Sequence, residues 1–405
     1  ASFQGGRSDV AQSMDPHLAD APQSWAVSIP DPAKSGNWIT QFNSDQLTLL
    51  ISEALEKNYD VRASLATMEA SIASARAARG NRLPSLSGDT SATYNAYGDA
   101  LSLSDGESFG LGLTASWEPD FWGRLSKAVS LADANLEASR ADLQNLKLSI
   151  AGATARGWID LTNAKALLAL SKDELEVRSR SRELTERRFS AGVSSSLDVR
   201  LSRSAEASAR ASIADAELTV ANAARSLEVL LGRYPVAEID APSDLVELGP
   251  LQAGGSPADL LARRPDIAAA EARLVASGLR ADLARLAMHP RLDFRLTANI
   301  NDDEIENLLD PEYIAGRALA SLTAPIFNGG ALKADAEAAL ANARASAASY
   351  GKTVLSAWRE VESARDADLS LAIQEAALTE ALQEAEAAEV LADRQYQQGL
   401  ITIFD

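Results

Sequence analysis

Leu292-Asp293-Phe294-Arg295-Leu296-Thr297-Ala298-Asn299-Ile300 switches between apolar and polar side chains at every step. A period of two puts the apolar set on one face of a β-strand and the polar set on the other. A second stretch does the same: Phe109, Leu111, Leu113, Ala115 and Trp117 alternate with Gly110, Gly112, Thr114 and Ser116. Roughly ten residues is the length a tilted strand needs to cross a bilayer. A soluble sheet with one wet face would alternate too. Charges on the polar face, and aromatics at the strand flanks (Tyr94, Tyr97, Trp117, Phe121, Trp122, Phe327), favour lipid contact instead. No apolar run approaches the roughly 18–20 residues of a spanning helix, so any membrane span must be made of strands. Stretches 85–97 and 313–324 alternate less cleanly and complete a set of four. Four strands cannot close around a lumen, and open edges are not tolerated in lipid. Other copies must complete the barrel, and three copies would supply twelve strands.

The strands sit inside a long-range repeat. Asp60 and Asp266, Pro84 and Pro290, and Leu86 and Leu292 are each 206 positions apart. Gly123 and Gly330, and Gly192 and Gly399, are 207 apart. The tandem halves run over about 44–233 and 257–405, each reading helix, two strands, long helix, turn, helix. Trp158 and Trp358 are 200 apart, a slip of seven residues that keeps one face of a coiled coil buried. The long helix of the first half runs from about Gly123 to Arg188 and would measure roughly 95–100 Å, far beyond a globular helix. Its partner runs from about Leu197 to Leu231, and both are rich in small residues.

Composition narrows the chemistry. The 405 residues carry a formal charge of -19, which argues against nucleic-acid binding. That balance suits cationic traffic along an acidic wall, and equally suits simple solubility. Cys is absent, and His17 and His289 are the only histidines. Three methionines (Met14, Met68, Met288) make no soft-metal cluster. No Gly-rich phosphate loop or catalytic constellation is visible. The expectation is no enzyme, no metal and no cofactor.

Five stretches carry a resemblance: Trp117-Glu118-Pro119-Asp120-Phe121-Trp122-Gly123-Arg124, Leu230-Leu231-Gly232-Arg233, Leu260 to Ile267, Ala324-Pro325-Ile326-Phe327-Asn328-Gly329-Gly330 and Arg394-Gln395-Tyr396-Gln397-Gln398-Gly399. In this order they resemble the TolC-like outer-membrane efflux proteins, in particular the lipoprotein branch serving resistance–nodulation–division pumps. The resemblance implies an α+β membrane protein: a long α-helical coiled-coil barrel, with four transmembrane β-strands per subunit joining into a twelve-stranded barrel in a homotrimer. It implies an outer-membrane location, contact with lipid, a periplasmic adaptor protein and an inner-membrane pump as partners, and passive passage of drugs or other small toxic compounds. Metal efflux, type I secretion and a soluble periplasmic coiled-coil scaffold are the alternatives.

On that pattern 1–43 is an N-terminal extended segment, 44–84 the first helix and 85–119 the first transmembrane hairpin. Residues 120–233 form the first helical hairpin, 234–256 a linker, 257–290 the second helix, 291–325 the second transmembrane hairpin and 326–405 the second helical hairpin. The resemblance makes Arg188, Phe189, Gly192, Ser194, Tyr396 and Gly399 the adaptor-docking tips, and Asp198 and Asp405 an aperture ring. Asp89, Asp293 and Arg295 are expected to face the barrel lumen, and Trp117, Trp122 and Phe327 the membrane interface. Residues 98–107 and 301–312 read as acidic outer loops. Two departures stand out: no acylated Cys begins the chain, and it stops at Asp405 where a return helix is expected.

Overall fold

A computed structural model describes residues 22, 24–28, 38–96, 106–246, 248, 255–398 and 400–401. Helices α1 (Asp45–Lys57) and α2 (Tyr59–Gly80) lead into strands β1 (Ser85–Asn95) and β2 (Gly106–Trp117). The long α3 (Arg124–Ser190) and its partner α4 (Ser196–Leu230) follow. The order then recurs as α5 (Pro257–Arg263), α6 (Pro265–Leu286), β3 (Arg291–Asp302), β4 (Ala315–Thr323) and α7 (Ala331–Gln397). Helices α3 and α7 are each 67 residues long and α2 and α6 each 22.

Two refinements concern the helices that open each half, expected as single segments over 44–84 and 257–290. The first breaks at Asn58, whose side-chain oxygen accepts the N–H groups of Asp60 and Val61 while its amide donates to the Leu230 carbonyl, 2.8 Å away. The second breaks at Arg264, held extended by the following Pro265. Segment 301–312, expected as an outer loop, carries regular structure: β3 runs on to Asp302, and short 3-10 helices cover Ile305–Leu309 and Pro311–Tyr313. Of the other expected loop, 98–107, residues 98–105 lie outside the described residues and 106–107 open β2.

The chain divides into two compact units. The first comprises Ala66–Asp142 and Arg264–Val354, beside N-terminal residues outside the description. It holds a four-stranded antiparallel sheet in the order β1-β2-β3-β4. Its helices pack through small side chains: Ala134, Ala276 and Leu279 are buried together with Leu131 and Val275 against them. On α7, Ala336, Ala343, Ala347 and Val354 are buried at alternating steps of seven and four, a heptad seam that brings a neighbouring axis close. Ion pairs tie the flanks: Arg79 to Asp133 at 2.6 Å, Lys127 to Asp282 at 2.7 Å and Arg273 to Asp142 at 2.5 Å.

The second unit comprises Ala21–Leu65, Leu143–Arg263 and Leu355–Asp405. Helix α1 starts at the Ser44 cap and buries Leu47, Leu50, Ile51 and Ala54, one apolar stripe of the helical period. The stripe shares this unit's core with Trp158, Leu161, Leu227 and Leu231. The indole of Trp158 donates to Gln46 at the start of α1, and that of Trp358 to the Pro257 carbonyl at the start of α5, each at 3.2 Å. The two tryptophans therefore do matching work despite their slipped spacing. After α4 the chain reverses at Gly232 (φ +71), with Arg233 donating to the Glu228 carbonyl and Gly232 to that of Val229. This is a Schellman turn. The buried Glu228 carboxylate accepts the N–H groups of Ala237 and Glu238, each at 2.7 Å, which pins the linker's first residues.

Two outcomes are expected. A Cβ at Gly232 would lie 2.8 Å from the Lys57 carbonyl oxygen, whereas at Gly192, also at positive φ, it would meet nothing within 4 Å. Gly192→Ala should therefore cost only the left-handed strain of about 1–2 kcal/mol, and Gly232→Ala clearly more, read as loss of helical signal on heating. The fork from Arg233 holds the Glu53 carboxyl at about 2, below its usual 4.5, so its stabilisation is full above that usual value and lost as pH falls toward the lower one. Glu53→Gln should remove that part of the acid slope in unfolding titrations.

Candidate functional site

The strand register sorts the sheet into two faces. One carries Trp117 opposite Phe294, Ala115 opposite Leu296, Leu113 opposite Ala298 and Leu111 opposite Ile300. Leu86 and Ala318 extend the second of these rows onto the outer strands. Leu86, Leu113, Trp117, Phe294, Leu296 and Leu322 all lie exposed on this apolar face. Trp117 stacks on Phe294 with ring centroids 6.1 Å apart.

The opposite face is polar. Its rows run Ser85–Ser116–Arg295–Leu319, then Ser87–Thr114–Thr297–Arg317, then Asp89–Gly112–Asn299–Ala315. Asp293, opposite Ser321, lies on it as well. The register thus gathers Asp89, Asp293 and Arg295 on one surface. Asp89 lies across the central strand, where a Cβ at Gly112 would sit 2.9 Å from its Oδ1. The outer edges of β1 and β4 have no strand partner among the described residues.

The 117–124 motif builds the passage from sheet to helix. Asp120 accepts the N–H groups of Leu125 and Ser126, each at 2.8 Å, and caps the start of α3. Burial alone would raise the Asp120 carboxyl, but the Ser126 hydroxyl and these amides prevail and hold it low. Glu118 receives Arg124 at 2.6 Å and Arg291 at 3.0 Å. Sequence reasoning used Glu118, Asp120 and Arg124 only as signs of resemblance, although an acid just before a helix start is a readable capping signal. Of the expected interface aromatics, Trp122 sits edge-on to Phe121 and leans on His289, with centroids 4.9 and 5.5 Å apart. Phe327 is 91 % exposed.

In the second unit, α3 ends at a Schellman turn: Gly192 (φ +76) donates to Phe189 and Val193 to Arg188. Helix α4 then opens with a capping box. The Asp198 N–H donates to Ser195 Oγ at 3.2 Å, and the Asp198 carboxylate accepts the Ser195 N–H at 2.8 Å and the Ser194 hydroxyl at 2.9 Å. The Ser195 amide, then the Ser194 hydroxyl, holds the Asp198 carboxyl below its ordinary value. Below the tip Arg182 pairs with Glu206 at 2.8 Å, and Glu186 with Arg203 at 2.9 Å, fastening α3 to α4.

The Arg188 guanidinium lies over the Tyr396 ring, 4.8 Å from its centroid, so two expected docking residues meet. At the end of α7 Leu400 donates to the Gln395 carbonyl, the bond Val193 makes to Arg188 at the first tip. Gly399 and Asp405 lie outside the described residues. Phe189 is exposed, and so are Val193, Leu197 and Leu201, which sequence reasoning did not place in the site. An apolar pair flanking a Ser-rich turn was the available signal.

The outer membrane efflux protein family model matches residues 50–233 and 257–405. A pyoverdine export outer membrane protein, OpmQ, from Pseudomonas putida is 30% identical over 94% of this chain and 82% of its own length. The cation efflux system protein CusC of Escherichia coli O157:H7 is 27% identical over 95% of this chain and 83% of its own. Among solved structures, a membrane protein from Pseudomonas aeruginosa superposes with a TM-score of 0.86 at 28% identity, covering 95% of this chain and 89% of that one. A sheet apolar on one face and polar on the other, and matched 67-residue helices, are thus joined to a family match over most of the sequence: the chain belongs to the outer membrane efflux protein family.

Proposed function

We propose that this outer-membrane efflux channel works as a homotrimer in which three four-stranded sheets join, β4 of one copy to β1 of the next, into a twelve-stranded barrel. The observation that carries the reading is the sheet itself: exposed apolar side chains on one face, charged and hydroxyl side chains on the other, and two open edges. In lipid every backbone donor and acceptor must be paired, so open edges demand further copies. The apolar face then meets acyl chains, and Asp89, Asp293 and Arg295 line the lumen.

On this reading the long helices continue the duct through the periplasm. The tips at Arg188, Phe189, Gly192, Ser194, Tyr396 and Gly399 meet a periplasmic adaptor, which links them to an inner-membrane pump. Passage is passive, with energy entering at the pump. The cargo is small molecules. OpmQ is named for pyoverdine and CusC for cations, so the names of relatives do not select among cargo classes.

Light scattering on the full-length protein tests the assembly. A trimer that needs mild detergent is expected, and a monomer without detergent would overturn the barrel. The aperture role of Asp198 needs a test that separates charge from capping. Asp198→Asn keeps the acceptor oxygen but removes the charge, so the first turn of α4 should keep its slow amide exchange while cation preference in bilayer conductance falls. Asp198→Ala should lose both.

A further inference from the structure

The lumen reading above assigns a wall to the duct, and the charges on that wall are unevenly spread. Arg295 stands on β3 opposite Ser116, and Arg317 on β4 opposite Thr297. They are diagonal neighbours on the polar face, a placement with backbones about 7–8 Å apart. Their two rows, Ser85–Ser116–Arg295–Leu319 and Ser87–Thr114–Thr297–Arg317, contain no carboxylate. Neither guanidinium forms an ion pair among the described residues, and both side chains are exposed. Arg291, by contrast, is engaged by Glu118 at 3.0 Å.

Four of the five hydroxyls around them are committed elsewhere. Ser87 donates to the Thr114 carbonyl at 3.4 Å, Thr297 to that of Arg317 at 3.5 Å, and Ser85 and Ser116 bond to each other at 2.9 Å. Beside the Thr114 hydroxyl, the open donors of these rows are the two guanidinium forks, each with five N–H groups and a permanent charge. The acids of the face lie in flanking rows: Asp293 opposite Ser321, and Asp89 folded over Gly112. Asp293 is also near enough to Arg124 to favour that guanidinium's charge. A chain with a formal charge of -19 thus places two cations, neither in an ion pair among the described residues, side by side on the face that lines the lumen.

We infer that Arg295 and Arg317 form an anion-binding belt inside the barrel, six guanidinium groups in the trimer, which favours solutes carrying carboxylate, phosphate or sulfonate groups. The belt deepens the duct reading and rests on it. Planar oxyanions are the chemistry guanidinium forks match, and a low-dielectric wall concentrates the counter-charge. Cationic traffic, which the overall charge suggests, would find this stretch of the wall unfavourable.

None of the 405 residues is Cys, so a single introduced thiol reports its own surroundings. Thr114→Cys places one in the Arg317 row, and Leu113→Cys one on the apolar face. The full-length protein in lipid vesicles is treated with a sulfonate-bearing and a trimethylammonium-bearing methanethiosulfonate of similar size. Thr114→Cys should react about tenfold faster with the anionic reagent, while Leu113→Cys stays protected. The ratio should fall to parity or below when Arg295→Gln and Arg317→Gln are added, and return with Arg295→Lys and Arg317→Lys, which keep the charge. An accessible Thr114→Cys with no anionic preference, or with one the glutamines leave unchanged, overturns the belt alone. Equal protection of both thiols, or faster reaction at Leu113→Cys, overturns the lumen reading and the belt with it.

Discussion

Backbone hydrogen bonding at the edges of the four-stranded sheet is the constraint on which the proposed assembly depends. An unpaired N–H or C=O in hydrocarbon costs several kcal/mol, and the outer edges of β1 and β4 have no strand partner among the described residues. No rearrangement of four strands within one copy can close a lumen. The apolar and polar faces point the same way. Leu86, Leu113, Leu296 and Leu322 would be exposed to water on a monomer.

The helical parts answer a different requirement. Buried alanines let helix axes approach closely but contribute little apolar area each, so stability is spread along the whole length of α3 and α7. Such helices are most sensitive where they end. Reversal at Gly192 and Gly232 uses the left-handed turn, with the freed carbonyls of Arg188 and Glu228 capped by the next backbone amides. Acids help set three of the starts: Asp120 for α3, Asp198 with Ser195 for α4 and Asp259 with Ser256 for α5. The same carboxylate can then be both a cap and a charge at a tip, which is why Asp198 needs two substitutions to separate its roles.

Much of this architecture was legible in the residues. The alternation at 292–300 and 109–117 identified two strands and their faces, and the register pairs the apolar sets in four rows, from Leu111 with Ile300 to Trp117 with Phe294. The long helix expected from Gly123 to Arg188 runs from Arg124 to Ser190. The break at Asn58 was not legible, because its amide is anchored by the Leu230 carbonyl 172 positions away. Arg188 and Tyr396 were each expected at a tip, but their stacking joins the ends of two helices that periodicity treats separately.

What the sequence determined by itself was what local period and local backbone chemistry set: the faces of two strands, the length of α3 and the turns at Gly192 and Gly232. These depend on residues within a few positions of one another, where apolar spacing and permitted φ angles decide the outcome. Only the tertiary structure decided which residues share a row. It set Arg295 beside Arg317 without an acid between them, laid Asp89 over Gly112 and turned Glu118 toward both Arg124 and Arg291. Such neighbours are fixed by strand register and helix packing across many tens of residues, and electrostatic sign at a site is a property of neighbours, not of composition.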